Sequence, residues 1–358
     1  MVDLAAWTHV CVMKKSTSFF AVGIIVGIIV TCITFAVVSR EQLTNGGGRS
    51  QVRKLKFAHS LQMSHPVHKS IEFMAKRLDE LSGGSMEIII FPGEQLGNET
   101  KCIEQIQMGT LAMTKTSAAP MGNFVSMMKV FSLPYLFNDA DHYWSVLNGE
   151  IGTEMLQSLS VRDDGEPSGL IGLGYFDSGS RNFYSKDPIL GLSDISGKKF
   201  RVMKDPVAMD LVQSLGGSPT PIPFGELYTA LKQGVVDGAE NNPPSILSSK
   251  HYEICKHLTL DAHSRIPDII IISDKTWNEL KDYERAWLKQ AMKEATEYQR
   301  KLWIEATADA LEKIEASGVT IHQVDTTPFR NAVKPVIDKY ATGAIKDVYD
   351  RIQSAGSK

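Results

Sequence analysis

From Lys54 onward, short apolar runs alternate with longer stretches in which apolar residues recur every three or four positions, the periods of buried strand and one-sided helix. Leu55 to Ala58 reads as a strand. After a polar turn, Pro66 to Leu81 reads as a helix with Ile71, Met74, Ala75 and Leu78 on one face, stopped by Ser82-Gly83-Gly84. Met86 to Phe91 is a second strand, and a loop ending at Gly97 leads to a helix over Glu99 to Met108, closed by Gly109. This alternation predicts βαβ units and hence a parallel sheet. It recurs through Gly169 to Phe176, Lys199 to Met203, a helix over Pro206 to Leu215, and Val236 to Glu240, so two similar α/β units follow one another. Asp282 to Ser317 reads as a long helix-rich stretch ending at Gly318, long enough to brace both units.

The N-terminus departs from this rhythm. Lys14 and Lys15 precede an uncharged stretch from Ser16 to Ser39, and its apolar part, Phe19 to Val38, is long enough to span a bilayer, longer than the usual signal-peptide core. The lysines lie before the run and only Arg40 follows closely, so the positive-inside rule puts the body of the chain outside the cytoplasm. The segment is an export signal, or an inner-membrane anchor if uncleaved; Cys32 matches a lipoprotein site poorly. Asn45 to Ser50 reads as a flexible linker. The cysteines at 11, 32, 102 and 255 form no CxxC pair and exclude a disulfide-stapled scaffold. Cys102 and Cys255 are expected as two separately buried thiols, a bridge between them being the alternative.

With 358 residues, 43% hydrophobic and 22% charged, the chain has length for two ordinary cores. A formal net charge of -3, without a basic run interleaved with aromatics, excludes a nucleic-acid partner. No GxSxG, P-loop, GxGxxG after a strand, or HExxH is present, so an enzyme would have to rest on loose residues. His59, His65 and His68 lack a sequence-near Cys or acid to complete a tetrahedral zinc set, and read as hydrogen-bonding residues at a helix entry; no metal and no cofactor is expected.

Two arginines carry more. In Asp177-Ser-Gly-Ser-Arg181-Asn-Phe-Tyr184 and Gly197-Lys-Lys-Phe-Arg201-Val-Met203, each arginine emerges at a strand among residues that would bury it. A buried guanidinium demands an anionic partner, and its planar fork matches a carboxylate. The competing reading is an internal salt bridge, to Asp177 or Asp194. The Pro- and Gly-rich stretch from Gly216 to Pro244 reads as rigid loops at strand ends, where side chains such as Phe224 and Asn241 can meet a ligand; the asparagines could equally satisfy turn backbone.

Taken in order, Leu55-Lys-Phe-Ala58, Phe91-Pro-Gly-Glu-Gln-Leu-Gly97, Phe131-Ser-Leu-Pro-Tyr-Leu136, Gly179-Ser-Arg181, Gly197-Lys-Lys-Phe-Arg201-Val, Ser218-Pro-Thr-Pro221, Glu226-Leu-Tyr-Thr-Ala-Leu231 and Asp237-Gly-Ala-Glu-Asn241 resemble the substrate-binding proteins of tripartite ATP-independent periplasmic (TRAP) transporters, across Lys54 to about Ile352. The resemblance implies a two-lobed periplasmic-binding-protein fold, type II-like, with a long helix bracing both lobes. Lobe I would be residues 51–178 completed by about 267–306, and lobe II 179–266 completed by about 307–358, after an N-terminal export and linker segment, 1–50. It implies a monomer that binds a small organic acid in the periplasm and delivers it to the small and large integral membrane subunits of a permease. Arg201 matches the principal carboxylate-binding arginine and Arg181 a second one; Asn241 and Phe224 match a cleft asparagine and an aromatic packing on the ligand. On the first lobe, Glu99 and Ser117 align with polar contacts of the sialic-acid-binding members, while His59 and Lys115 depart from them. Donors and acceptors of both signs opposite a carboxylate clamp suit a sugar acid such as a hexuronate or aldonate. A C4-dicarboxylate, with Lys115 taking the second carboxylate, is the runner-up. A sensor ectodomain would need chain beyond Lys358 or a separate partner, and an enzyme would turn its acid over.

Overall fold

The computed structural model describes residues 52–356. The apolar segment from Phe19 to Val38, with Cys11 and Cys32, lies outside them. Among the described residues, no helix is long and apolar enough to cross a membrane. Eleven strands are described: β1 (Arg53–Ala58), β2 (Met86–Phe91), β3 (Met113–Ser117), β4 (Leu170–Phe176), β5 (Arg181–Ser185), β6 (Lys199–Val202), β7 (Ser218–Pro221), β8 (Gly238–Asn241), β9 (His257–Ser264), β10 (Asp268–Ser273) and β11 (Thr320–Gln323). They form two sheets with helices between strands, one in the order β2-β1-β3-β10-β4 and the other β11-β9-β5-β8-β6-β7, so the chain has the two α/β lobes expected.

Neither sheet is purely parallel, which corrects the reading from the βαβ rhythm. β10 runs antiparallel between β3 and β4, and β5 runs antiparallel to both β8 and β9. These are the strands next to the crossings between lobes: the chain leaves lobe I after β4, enters lobe II at β5, and returns from β9 to β10. A strand inserted from the other lobe is free to run either way because no crossover helix fixes its direction. The isoleucine run of β10 suits its central place, since every residue of that strand is buried. β7 carries two prolines and sits on a sheet edge, where a missing N–H costs no ladder bond.

The helix Asp282–Ala316 runs along both lobes. Leu288, Ala291, Met292, Ala295 and Trp303 join the core of lobe I with Leu55, Phe57 and Ile270, while Ala310 and Ile314 join a lobe II core with Tyr184 and Leu258. Buried Gln299 pins the crossing strand: its side chain accepts from Asp177 N and donates to Asp177 O, both at 2.8 Å. Gly179 follows with φ of +61°, and a Cβ there would lie 2.9 Å from Trp303 Nε1, so both its conformation and its space require glycine. The tail divides rather than completing lobe II as expected. β11 and Phe329 do join lobe II, but the helix Gly343–Ala355 turns Val348 and Ile352 into the lobe I core beside Met128 and Phe131. Cys102 and Cys255 are separate buried thiols, as expected; burial pushes them up to about 11 and about 12.

Candidate functional site

The two arginines stand on the strands of lobe II that flank β8 and have opposite environments. Arg181, at the start of β5, is 5% exposed and bound by β8. Its Nε donates to a Glu240 carboxylate oxygen, its Nη2 to the other at 2.9 Å and to Glu240 O at 2.8 Å, and its Nη1 to Asn241 Oδ1 at 3.1 Å. Burial works against its charge, but Glu240 outweighs that and raises its pKa. Glu240 is in turn held down to about 2 against the effect of burial, by Arg181 and by His263. Neither Asp177 nor Asp194 is its partner, as the competing reading had it. Asp177 takes both bonds from Arg265 Nη2, at 2.9 and 2.8 Å, and Asp194 caps the backbone of Leu190 and Gly191.

Arg201, on β6, is 2% exposed and has no carboxylate within ion-pair distance among the described residues. Its Nε donates to Ile222 O at 2.8 Å, its guanidinium carbon lies 5.6 Å from the centre of the Phe224 ring, and its buried Nη1 has no hydrogen-bond partner. Burial depresses its pKa. A buried cation with unused donors is costly unless an anion completes it. Arg201 thus keeps a buried charge and a donor that the described residues leave unmatched.

Across the cleft, lobe I supplies a different arrangement. Glu99 opens the helix Glu99–Gln107, Lys115 is in β3 and Asp268 begins β10 in register with Ser117. Lys115 Nζ donates to Glu99 Oε1 at 3.1 Å and to Asp268 Oδ1 at 3.0 Å, and Glu99 Oε1 also accepts from Ser117 N at 3.2 Å. Lys115 is thus engaged by two carboxylates. His59 takes part differently from expectation: its Nδ1 accepts from Leu61 N, its Nε2 lies 2.9 Å from His68 Nδ1, and it does not line the chamber. Burial, with His68 and Lys115, lowers it to about 3. The neighbouring imidazole that does line the chamber is His65, which caps the helix Pro66–Ser82 through Nδ1 and reaches Ser245 of lobe II through Nε2 at 3.1 Å.

An inner chamber of about 40 Å3 brings together Glu99, Lys115, Asp268 and His65 from lobe I with Arg181, Arg201, Asn241 and Phe224 from lobe II. An outer one of about 240 Å3 continues from it past Arg201, Glu99 and Phe224 to Glu94 and Pro223. Both described bonds of Asn241 use its carbonyl oxygen. Asp268, Glu240 and His65 were missed by sequence reasoning. Asp268 had a signal, a carboxylate directly before an unbroken isoleucine run, whereas Glu240 was read only as the end of a strand.

A cleft lined from two lobes, with one uncompensated arginine, is solute-binding architecture. Residues 57–343 match the family described as bacterial extracellular solute-binding protein, family 7. The chain belongs to that family. Among solved structures, this family 7 protein is similar to a TRAP periplasmic solute-binding protein from Bradyrhizobium sp. BTAi1 in complex with D-galacturonate, at 38% identity and a TM-score of 0.81, covering 84% of this chain and 100% of that one. It is likewise similar to one from Pseudomonas putida F1 with bound D-glucuronate, at 35% identity and TM-score 0.81, over 84% and 97% of the two chains. A solute-binding protein of Chromohalobacter salexigens is 34% identical over 77% of this chain and 81% of its own. The two lobes and bracing helix are those of the TRAP solute-binding proteins.

Proposed function

We propose that this family 7 protein binds a sugar acid, a hexuronate or aldonate, with the carboxylate on Arg201, and hands it unchanged to a TRAP permease. The observation that carries the reading is the buried Arg201 guanidinium, whose Nη1 has no partner among the described residues. Arg181, already paired with Glu240, holds Asn241 in place rather than supplying a free charge. Phe224 packs beside the carboxylate, and Glu99, Lys115 and Ser117 offer acceptors and donors to hydroxyls. The bound D-galacturonate and D-glucuronate of the similar structures support the substrate class. The C4-dicarboxylate reading loses support because Lys115 is committed to Glu99 and Asp268. The body would work outside the cytoplasmic membrane as a monomer, with small and large integral membrane subunits as partners, and no turnover of the acid.

Mass spectrometry of the solute released on denaturation, together with calorimetric titration of that solute into wild type and Arg201→Ala, tests this. Loss of charge-assisted bonds of about 3 kcal/mol weakens affinity at least a hundredfold. Unchanged affinity in Arg201→Ala removes the carboxylate from Arg201, and a chemically altered product overturns the transport reading.

A further inference from the structure

The two sides of the inner chamber differ in charge balance. On lobe II, Arg181 is matched by Glu240 and Arg201 by nothing, an excess of one positive charge. On lobe I, one ammonium, Lys115, is shared by two carboxylates, an excess of one negative charge. Lys115 and Asp268 are buried, with side-chain exposures of 4% and 6%, and Glu99 is half-buried at 17%. Glu99 Oε2 and Asp268 Oδ2 receive no hydrogen bond from the described residues, so each carboxylate keeps an acceptor unused.

We infer that the Glu99–Lys115–Asp268 triad is a charge filter, which accepts hydroxyl protons from the solute and excludes a second carboxylate. The inference rests on Arg201 holding the first carboxylate. A hydroxyl entering the triad donates to an ionised oxygen, a short and strong bond. A carboxylate entering there meets like charge in a place with little water to screen it. Lys115 cannot turn to meet it without leaving buried Asp268 and half-buried Glu99 without their cation, which costs more than it gains. The site therefore takes mono-anionic polyhydroxy acids and rejects dianions of the same length and stereochemistry. Asp268 decides this, because removing its charge leaves Lys115 balanced by Glu99 alone.

Six-carbon acids of one configuration are the probes: each aldarate differs from its aldonate only at the far carbon, while the uronate also closes to a ring. Calorimetric titration of the full chain, freed of solute, compares galactarate with galacturonate and galactonate, and glucarate with glucuronate and gluconate. In wild type each aldarate is expected to bind at least tenfold more weakly than the better monoacid of its series, and Asp268→Asn or Glu99→Gln should narrow that ratio through tighter aldarate binding. A wild-type ratio below tenfold overturns the filter without any variant having to fold. So does a ratio that neither folded variant narrows. If Arg201→Ala binds the monoacids as wild type does, the Arg201 reading itself fails, a result separate from the aldarate ratio.

Discussion

Arg181 and Arg201 show how far a side chain's partners, rather than its type, decide its role. Arg181 is enclosed by Glu240 and Asn241, so Arg181→Met leaves the buried Glu240 carboxylate with His263 alone and should cost about 3–5 kcal/mol of stability. Arg201→Met removes a buried charge with no counter-ion and one bond to Ile222 O, so ligand-free stability should change by less than about 1.5 kcal/mol. Urea titration of both variants checks the contrast, and equal losses would mean that Arg201 is structural. His263 gives a pH signature. Burial opposes its charge, but Asp261, at 2.8 Å from Nδ1, and Glu240 raise it to about 9. A folded pKa above the unfolded value of about 6.5 gives stability that is complete below pH 6.5 and lost as pH rises through 9, about 3 kcal/mol in all. His59 and His251, both lowered to about 3 chiefly by burial, act oppositely: their contribution is present above pH 6.5 and lost as pH falls towards 3. Urea midpoints between pH 4 and 10 should fall on both sides of neutrality, and His263→Gln should flatten the alkaline side alone.

At the scale of elements, the strands that cross between lobes are held by side chains rather than by ladder bonds alone. Gln299, from the bracing helix, satisfies both backbone groups of Asp177, whose carboxylate also accepts from Gly179 N, Trp144 Nε1 and Arg265. Gln299→Leu keeps the volume but leaves a buried N–H and C=O without partners, at a cost of about 2–4 kcal/mol. Hydrogen exchange should quicken at Asp177 and Gly179 first; unchanged protection there would mean that the helix does not pin the crossing. On the return, the β5–β9 pairing shifts register between Arg181 and Phe183, and Asp261 Oδ1 accepts the Phe183 N–H that the irregularity frees. Beside it, Glu240 meets both Arg181 and His263.

On the scale of the whole molecule, the bonds between the lobes among the described residues include His65 Nε2 with Ser245 Oγ at 3.1 Å, Gly225 N to Glu94 Oε1 at 3.2 Å, and Asn123 Nδ2 to Lys204 O at 2.7 Å. Each contributes about 0.5–1.5 kcal/mol to closure, less than a solute bound on both sides, so acid should shift the population further towards closed. Small-angle scattering should show a smaller radius of gyration at saturating acid, and a larger one for ligand-free Ser245→Ala/Glu94→Ala; an acid-independent radius in wild type would point to a preformed pocket. The sequence by itself determined the alternating elements, the lobe II strands carrying Arg181 and Arg201, and the long helix from Asp282, because strand and helix periods and the burial of a strand-borne guanidinium are local properties. The mixed sheets, the return of the Gly343–Ala355 helix to lobe I, the pairing of Arg181 with Glu240 rather than Asp177, and the replacement of His59 by His65 in the chamber wall were decided by tertiary structure alone. Each depends on which distant segment arrives beside a residue, and a charge buried in the fold takes its partner from space rather than from sequence.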